Sequence, residues 1–300
     1  MSVDPAPSSK AQTGRFDITV WGARGTLPGS GTSQTAFGTE TCCVEMRIDG
    51  HRLVFDAGTG IVPLGRAILT EGASSVDLFF SHTHYDHIVG FPFFPPLYRA
   101  GCGITVSAGH MLDGRSCEEI VSDYMRAPFL PITPKIFAAD VDYRTFAAGE
   151  ALFPHPGITI RTARLNHPNG AVGFRVEHGG RVAAYVTDTE HRPGQPDEGV
   201  LGLFADADVV FYDTSYCDSE MTKCRGYGHS TWQEGIRLAR AAGTRRLVLY
   251  HHAHTRDDAD LAAIEAEAKD IFPGAVAART GMTFSLIGPD GPEADHVDGD

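Results

Sequence analysis

Short runs of β-branched and aromatic residues recur along the chain, separated by Gly, Asn and Asp or by stretches whose apolar positions fall at helical spacing. In the first half, the runs that read as strands are "RFDITVWG" (15–22), "CVEMRID" (43–49), "RLVFDAG" (52–58), "VDLFFSH" (76–82) and "GITVSAG" (103–109). In the second half they are "ITIRTARLNH" (158–167), "AVGFRVEH" (171–178), "RVAAYVTD" (181–188), "ADVVFYDT" (207–214), "RRLVLYHH" (245–252) and "MTFSLIG" (282–288). Helices are predicted over 61–71, 115–125, 231–242 and 257–271; the third opens on Thr231 with Glu234 three residues on, the pattern of a capping box. The Gly pair in "EHGGR" closes a hairpin between two strands. Many strands and fewer helices predict an α+β domain in which two sheets pack together with helices outside.

This pattern fills residues 15–288 as a single domain. The segment 1–14, "MSVDPAPSSKAQTG", has no apolar stretch of the kind a secretory signal needs and reads as a disordered tail. The acidic, Pro/Gly-rich segment 289–300 reads as a solvated one. Between 92 and 150, Pro and aromatics crowd together ("FPFFPPLY", "RAPFLPITP"), a composition that suits a lid or binding loop as well as an apolar loop packed on the core.

Charge narrows the partners. The chain has 25 basic and 38 acidic residues, a formal net charge of −13, and no Lys/Arg cluster exceeds two in a row. That balance argues against a long nucleic acid, whose phosphates call for a basic face, but not against a small anion held by a metal. No apolar run approaches the roughly 20 residues of a membrane span, so no membrane partner is expected. The six cysteines form no C-x-x-C pair, and a chain this long needs no disulfide staples, which fits reduced thiols in a cytoplasm.

The densest chemistry is "SHTHYDH" (81–87), directly after the apolar run "VDLFF". His82 and His84, two residues apart in extended chain, point to the same side and suit one ion. Asp86 and His87 follow where the chain turns, placed for a second. Polar residues end three later runs: His167 after "TIRTARLN", Asp188 after "VAAYVT", and His251 with His252 after "RLVLY". Alternation leaves open which of the last two faces a site.

H-x-H-x-D-H after an apolar strand, followed by His, Asp and His at later strand ends, resembles the metallo-β-lactamase superfamily over roughly residues 15–288. "FDAGTG" (55–60) resembles that superfamily's Asp-Gly turn. The resemblance implies a four-layer αβ/βα sandwich of two mixed sheets, with two divalent metal ions at one edge; zinc leads, with manganese or iron as variants. By position it implies one ion on His82, His84 and His167, a second on Asp86, His87 and His251, and Asp188 bridging them. His251 is preferred to His252 because "LVLYH" resembles the family's final motif.

"GHST" (228–231) resembles the His-Ser-Thr motif of the tRNase Z and PhnP-like phosphodiesterase branch. The resemblance makes His229 the acid that protonates the leaving oxygen and Asp213 its acidic partner, while water activated between the ions attacks and Asp86 helps to orient it. The tRNA-clasping arm of true tRNase Z enzymes has no room here, because two predicted strands fill the interval from His167 to Asp188. A small phosphodiester, such as a cyclic nucleotide or cyclic sugar phosphate, is therefore the expected substrate, and a homodimer is compatible with this reading. The Cys42–Cys43 pair lacks the spacing of PhnP's structural zinc. "WGARGTLPGSG" (21–31) resembles the branch's loop that borders the metals. His191 is expected in a solvated loop and Tyr216 in packing. The competing functions are lactone or thioester hydrolysis on the same core, which needs no acid at His229, and a silent metal-binding sensor module.

Overall fold

The computed structural model describes residues 14–286. The tails expected over 1–14 and 289–300 lie outside the described residues, apart from Gly14. Two seven-stranded sheets dominate. The first runs, edge to edge, Thr283–Ser285, Phe16–Gly22, Cys43–Ile48, His51–Phe55, Ser75–Phe80, Gly103–Ala108 and Asp140–Thr145. The second runs Ala275–Ala277, Leu247–Tyr250, Val209–Asp213, Arg181–Val186, Ala171–His178, Thr159–Leu165 and Ala151–Leu152. Each sheet is parallel in one half and antiparallel in the other.

Three apolar clusters make the layers. One fills the space between the sheets. The second packs the second sheet against the helices Glu198–Phe204, Trp232–Ala241 and Asp258–Ile271, and the third packs the first sheet against Ile61–Glu71 and Cys117–Tyr124. Central strands such as Val209–Asp213 and Leu247–Tyr250 are buried on both faces, so they read as unbroken apolar runs rather than alternating ones. The outcome is the four-layer αβ/βα sandwich expected. At its centre Phe55 and Phe79 of the first sheet meet Phe174 and Tyr185 of the second, with the Phe174 ring 5.2 Å from Phe55 and 6.0 Å from Phe79.

The departures have physical reasons. Strand Asp140–Thr145 escapes the pattern because it is an edge strand, without a buried run to mark it. Together with Gly103–Ala108 and Cys117–Tyr124, it makes much of 92–150 regular structure rather than one long lid. Helix Glu198–Phe204 was hidden by its two glycines and is held at its start by Asp197, which accepts from Val200 N. The capping box at Thr231 forms only by half. Thr231 Oγ1 accepts from Glu234 N, but the Glu234 carboxylate accepts from Arg237 Nε at 2.6 Å instead of reaching back. In "EHGGR" both Gly179 and Gly180 have positive φ (56° and 76°), which is why a two-residue turn can join those strands.

Truncating Phe174, which links both sheets, should remove contacts that no neighbour can replace. Phe174→Ala is expected to lower unfolding free energy by about 3–5 kcal/mol in equilibrium urea denaturation. A loss under ~1 kcal/mol would mean that the two sheets do not share this core.

Candidate metal centre and active site

Strands stop just before the polar residues that the sequence singles out. Ser75–Phe80 ends ahead of Ser81, and the chain passes through His82 and His84 into the short helix Tyr85–Ile88, which carries Asp86 and His87. The predicted strand ends at 167, 188 and 252 are corrected to Leu165, Val186 and Tyr250, leaving His167, Asp188 and His251 in the turns beyond. Asp188 and His251 have φ of 55° and 59°. A side chain in that left-handed region costs about 1–3 kcal/mol, which the surrounding bonds must offset.

These residues converge in two groups about Asp188. His82 Nε2 and His167 Nε2 lie 3.8 and 3.7 Å from Asp188 Oδ1, and His84 Nδ1 lies 3.0 Å from His167 Nε2. On the other side, His87 Nε2 and His251 Nε2 lie 3.2 and 3.4 Å from Asp188 Oδ2. The same two nitrogens lie 3.3 and 3.1 Å from Asp86 Oδ2. One carboxylate thus offers an oxygen to each group. His252 faces away, with its Nε2 donating to Ala278 O.

The outer nitrogen of each ring is held, and this sets the tautomers. His87 Nδ1 donates to Asp56 Oδ2 at 2.7 Å, and His167 Nδ1 donates to Gly228 O at 2.7 Å. Ser81 and Ser215 hydroxyls donate to Asp56 and Asp213, so they can accept from His82 Nδ1 and His251 Nδ1. Lone pairs on the four Nε2 atoms therefore point inward, while His84 turns Nδ1 in and leaves Nε2 beside the Asn169 amide.

The residues present fit divalent ions. The Nε2 atoms of His82 and His87 are buried without a hydrogen-bond partner, although carboxylate oxygens stand close by. Buried polar atoms rarely stay orphaned, and bound cations would satisfy them. Burial drives His82, His84 and His167 toward the neutral form that binds metal. Burial opposes charge on Asp86 and Asp188 too, yet the neighbouring imidazoles, His87 first for Asp86 and His251 first for Asp188, hold both well below the usual carboxylate range. Burial likewise opposes charge on His87, but the neighbouring Asp86 and Asp188 carboxylates push it well above the ordinary histidine value. The pocket demands positive charge.

His229 borders both groups, its ring 4.9 Å from His251 and 5.3 Å from His167. Its Nδ1 donates to Asp213 Oδ2 at 2.9 Å. Burial works against its protonation, but Asp213 outweighs burial and raises its pKa to about 9 in the metal-free chain. A cavity of about 330 Å³ opens over the centre, lined by Thr26, Tyr85, Asp86, His167, Asp188, Tyr227 and His229 among others.

Several contributors have no periodic signal in the sequence. Asp56 accepts from Ser81 N, Ser81 Oγ, His87 Nδ1 and Tyr185 Oη. Thr26 N donates to Asp86 Oδ2 at 2.7 Å, which puts the expected N-terminal loop at the site. Gly25 is needed beside it, since a Cβ there would come within 2.2 Å of the His251 ring. Glu190 Oε2 accepts from Gly226 N and Gly228 N and so holds the loop that ends at His229. The Cys42 thiol also lies beside Asp86, His87 and His251, but burial pushes its pKa well up and it donates to Arg24 O. His191 Nδ1 lies 2.8 Å from Ser230 Oγ in a neighbouring cavity, and Tyr216 lies 6.0 Å from the His229 ring.

A family model described as the beta-lactamase superfamily domain matches residues 51–252. The Ribonuclease Z of Gemmatimonas aurantiaca is 29% identical over 86% of this chain and 94% of its own length. The metallo-beta-lactamase fold protein YhfI of Bacillus subtilis superposes with a TM-score of 0.67 at 19% identity, covering 91% of this chain and all of YhfI. A diphosphatase of the PhnP family superposes with a TM-score of 0.65, also at 19% identity, covering 91% of this chain and 98% of its own. The Ribonuclease Z match overturns the expectation that long nucleic acids are excluded. That expectation rested on net charge, which sums over the whole surface and counts carboxylates such as Asp86 and Asp188 that are buried in a centre built for cations. Among the described residues no helix is long and apolar enough to cross a membrane. Matched by the family model over more than half its length, and carrying its histidines and aspartates at one edge of the sandwich, the chain belongs to the beta-lactamase superfamily and is a metal-dependent hydrolase.

Proposed function

We propose that the chain hydrolyses phosphodiesters, with His229 as the acid that protonates the leaving oxygen. The observation that carries this reading is the His229–Asp213 pair at 2.9 Å on the rim of the cluster. Asp213 holds Nδ1–H, which leaves Nε2 as the atom able to carry a proton to substrate. Neither lactone nor thioester cleavage needs a proton donor there.

In this reading His82, His84 and His167 hold one ion, Asp86, His87 and His251 hold a second, and Asp188 is shared. The mixed imidazole and carboxylate donors suit zinc first, then manganese or iron. Bound divalent ions supply Lewis acidity toward water and toward phosphoryl oxygens. The chain does the rest. Asp86, fixed by Thr26 N, accepts a hydrogen bond from the attacking water and orients it; Asp213 keeps the His229 ring in one tautomer and stabilises its charged form. A cavity of about 330 Å³ accommodates one nucleotide-sized unit, such as a cyclic nucleotide or sugar phosphate. The diester at the end of an RNA presents the same group.

Two experiments check this. Bis(p-nitrophenyl) phosphate has a leaving group that needs little protonation, whereas an alkyl diester needs a proton. His229→Ala should therefore reduce kcat about 10²–10⁴-fold on the alkyl diester and far less on the nitrophenyl one, with Asp213→Asn costing about 10–100-fold. Equal losses on both substrates, or a wild type that cleaves neither while hydrolysing lactones or thioesters, would sink the proposal. Separately, removing metal with excess chelator should abolish activity and lower the melting midpoint by about 5 °C or more, and added Zn²⁺ or Mn²⁺ should restore both. An unchanged midpoint would argue that the cluster holds no tightly bound ion.

A further inference from the structure

Exposed aromatic side chains scattered singly over a surface call for no explanation. Tyr85 and Tyr227 are not scattered. Tyr85 is 70% exposed and Tyr227 61% exposed, yet both line the cavity that opens over Asp86, His167, Asp188 and His229. They come from different halves of the sandwich. Tyr85 follows the first-sheet strand Ser75–Phe80, and Tyr227 lies between the second-sheet strands Val209–Asp213 and Leu247–Tyr250.

Each ring stands on backbone that is tied down. Tyr85 sits between His84 and Asp86 and opens a short helix in which Val89 N donates to its carbonyl at 2.7 Å. Its ring lies 6.4 Å from that of Tyr124. Tyr227 is flanked by Gly226 and Gly228, with φ of 89° and 85°, a conformation that only glycine adopts without strain. Glu190 Oε2 accepts from the N–H of both glycines at 2.7 and 3.0 Å, and Gly228 O accepts from His167 Nδ1. The chain therefore spends four backbone bonds or more on presenting two apolar rings to water at the mouth of a site for anions.

We infer that Tyr85 and Tyr227 stack on the base of a nucleoside whose phosphate lies over the metal centre, and so select nucleotide substrates among phosphodiesters. This rests on the phosphodiester reading for the reaction but makes its own claim about recognition. Base–aromatic stacking tolerates any base, because each has a π-face, and it needs rings that are open to solvent before the ligand arrives. Pre-set backbone lowers the ordering cost of the complex.

The test is calorimetric titration of the metal-loaded protein with adenosine 5′-monophosphate and with ribose 5-phosphate, which carries the same phosphate and sugar without the base. The wild type should bind the nucleotide at least tenfold more tightly. Tyr85→Ala and Tyr227→Ala should each weaken nucleotide binding about 5- to 100-fold while ribose 5-phosphate affinity stays within twofold, and Tyr→Phe at either position should retain the preference. A hexaadenylate titrated alongside separates the sources of the base: tenfold tighter binding than the mononucleotide assigns an RNA strand, and equal affinity assigns a mononucleotide. Equal affinities of the wild type for nucleotide and ribose phosphate, no measurable binding of either, or a preference that survives both alanine substitutions would overturn the inference. Because the readout is binding, diester hydrolysis without base preference removes only the clamp. Base preference without hydrolysis removes only the assigned reaction.

Discussion

A single buried carboxylate holds the sandwich and its site in one piece. Asp56 is fully buried and has φ of 63°. It accepts from Ser81 and His87 of the first half and from Tyr185 Oη of the second sheet. An isolated charge in that place would be prohibitively costly; four charge-assisted donors make it tolerable. Their geometry is then not free to drift. The bond to His87 Nδ1 aims Nε2 at the cluster, the bond to Ser81 turns that hydroxyl toward His82, and the Tyr185 bond ties both to the opposite sheet. Packing and ligand geometry are therefore one constraint, not two.

The second half of the site repeats the device with different residues. Asp213 Oδ1 accepts from Ser215 N and Ser215 Oγ, and that hydroxyl faces His251 Nδ1 at 2.9 Å. Asp213 Oδ2 meanwhile takes His229 Nδ1. One carboxylate thus orients a histidine of the cluster through a serine and the His229 ring directly. Changing either ring's position requires moving Asp213, which is fully buried at the end of a central strand.

How much of this was legible follows from which physical regularity each residue obeys. Strands buried on both faces announce themselves as apolar runs, and a polar residue just past such a run stands out, as Asp188 and His251 do, while His82 and His84 stand out by their crowding and His167 follows an alternating strand. Alternation alone cannot separate His251 from His252, and the choice of His251 comes from the resemblance of "LVLYH" to the family's final motif; in the structure the chain kinks at His251 with positive φ, and His252 starts a two-residue strand paired with Arg24–Gly25. Asp56, Ser215, Glu190 and Thr26 act through hydrogen bonds to partners such as Tyr185, His251, Gly228 and Asp86 that lie far along the chain, and no periodicity encodes those. The edge strand Asp140–Thr145 was invisible for the opposite reason, since its alternation never becomes apolar enough to register.

Charge is where reading a sequence by sums misleads most. The net −13 counts every carboxylate as if it faced solvent, but Asp56, Asp86, Asp188 and Asp213 are buried at the centre. There they are matched by hydrogen-bond donors and by the imidazoles that surround them. Divalent ions held in that pocket would be the largest local charges there, and an incoming phosphate meets that local field rather than the whole-chain sum. The acidic composition is thus partly a property of the metal site itself. A sum over the whole chain does not decide the size of the anion that binds beside such a centre.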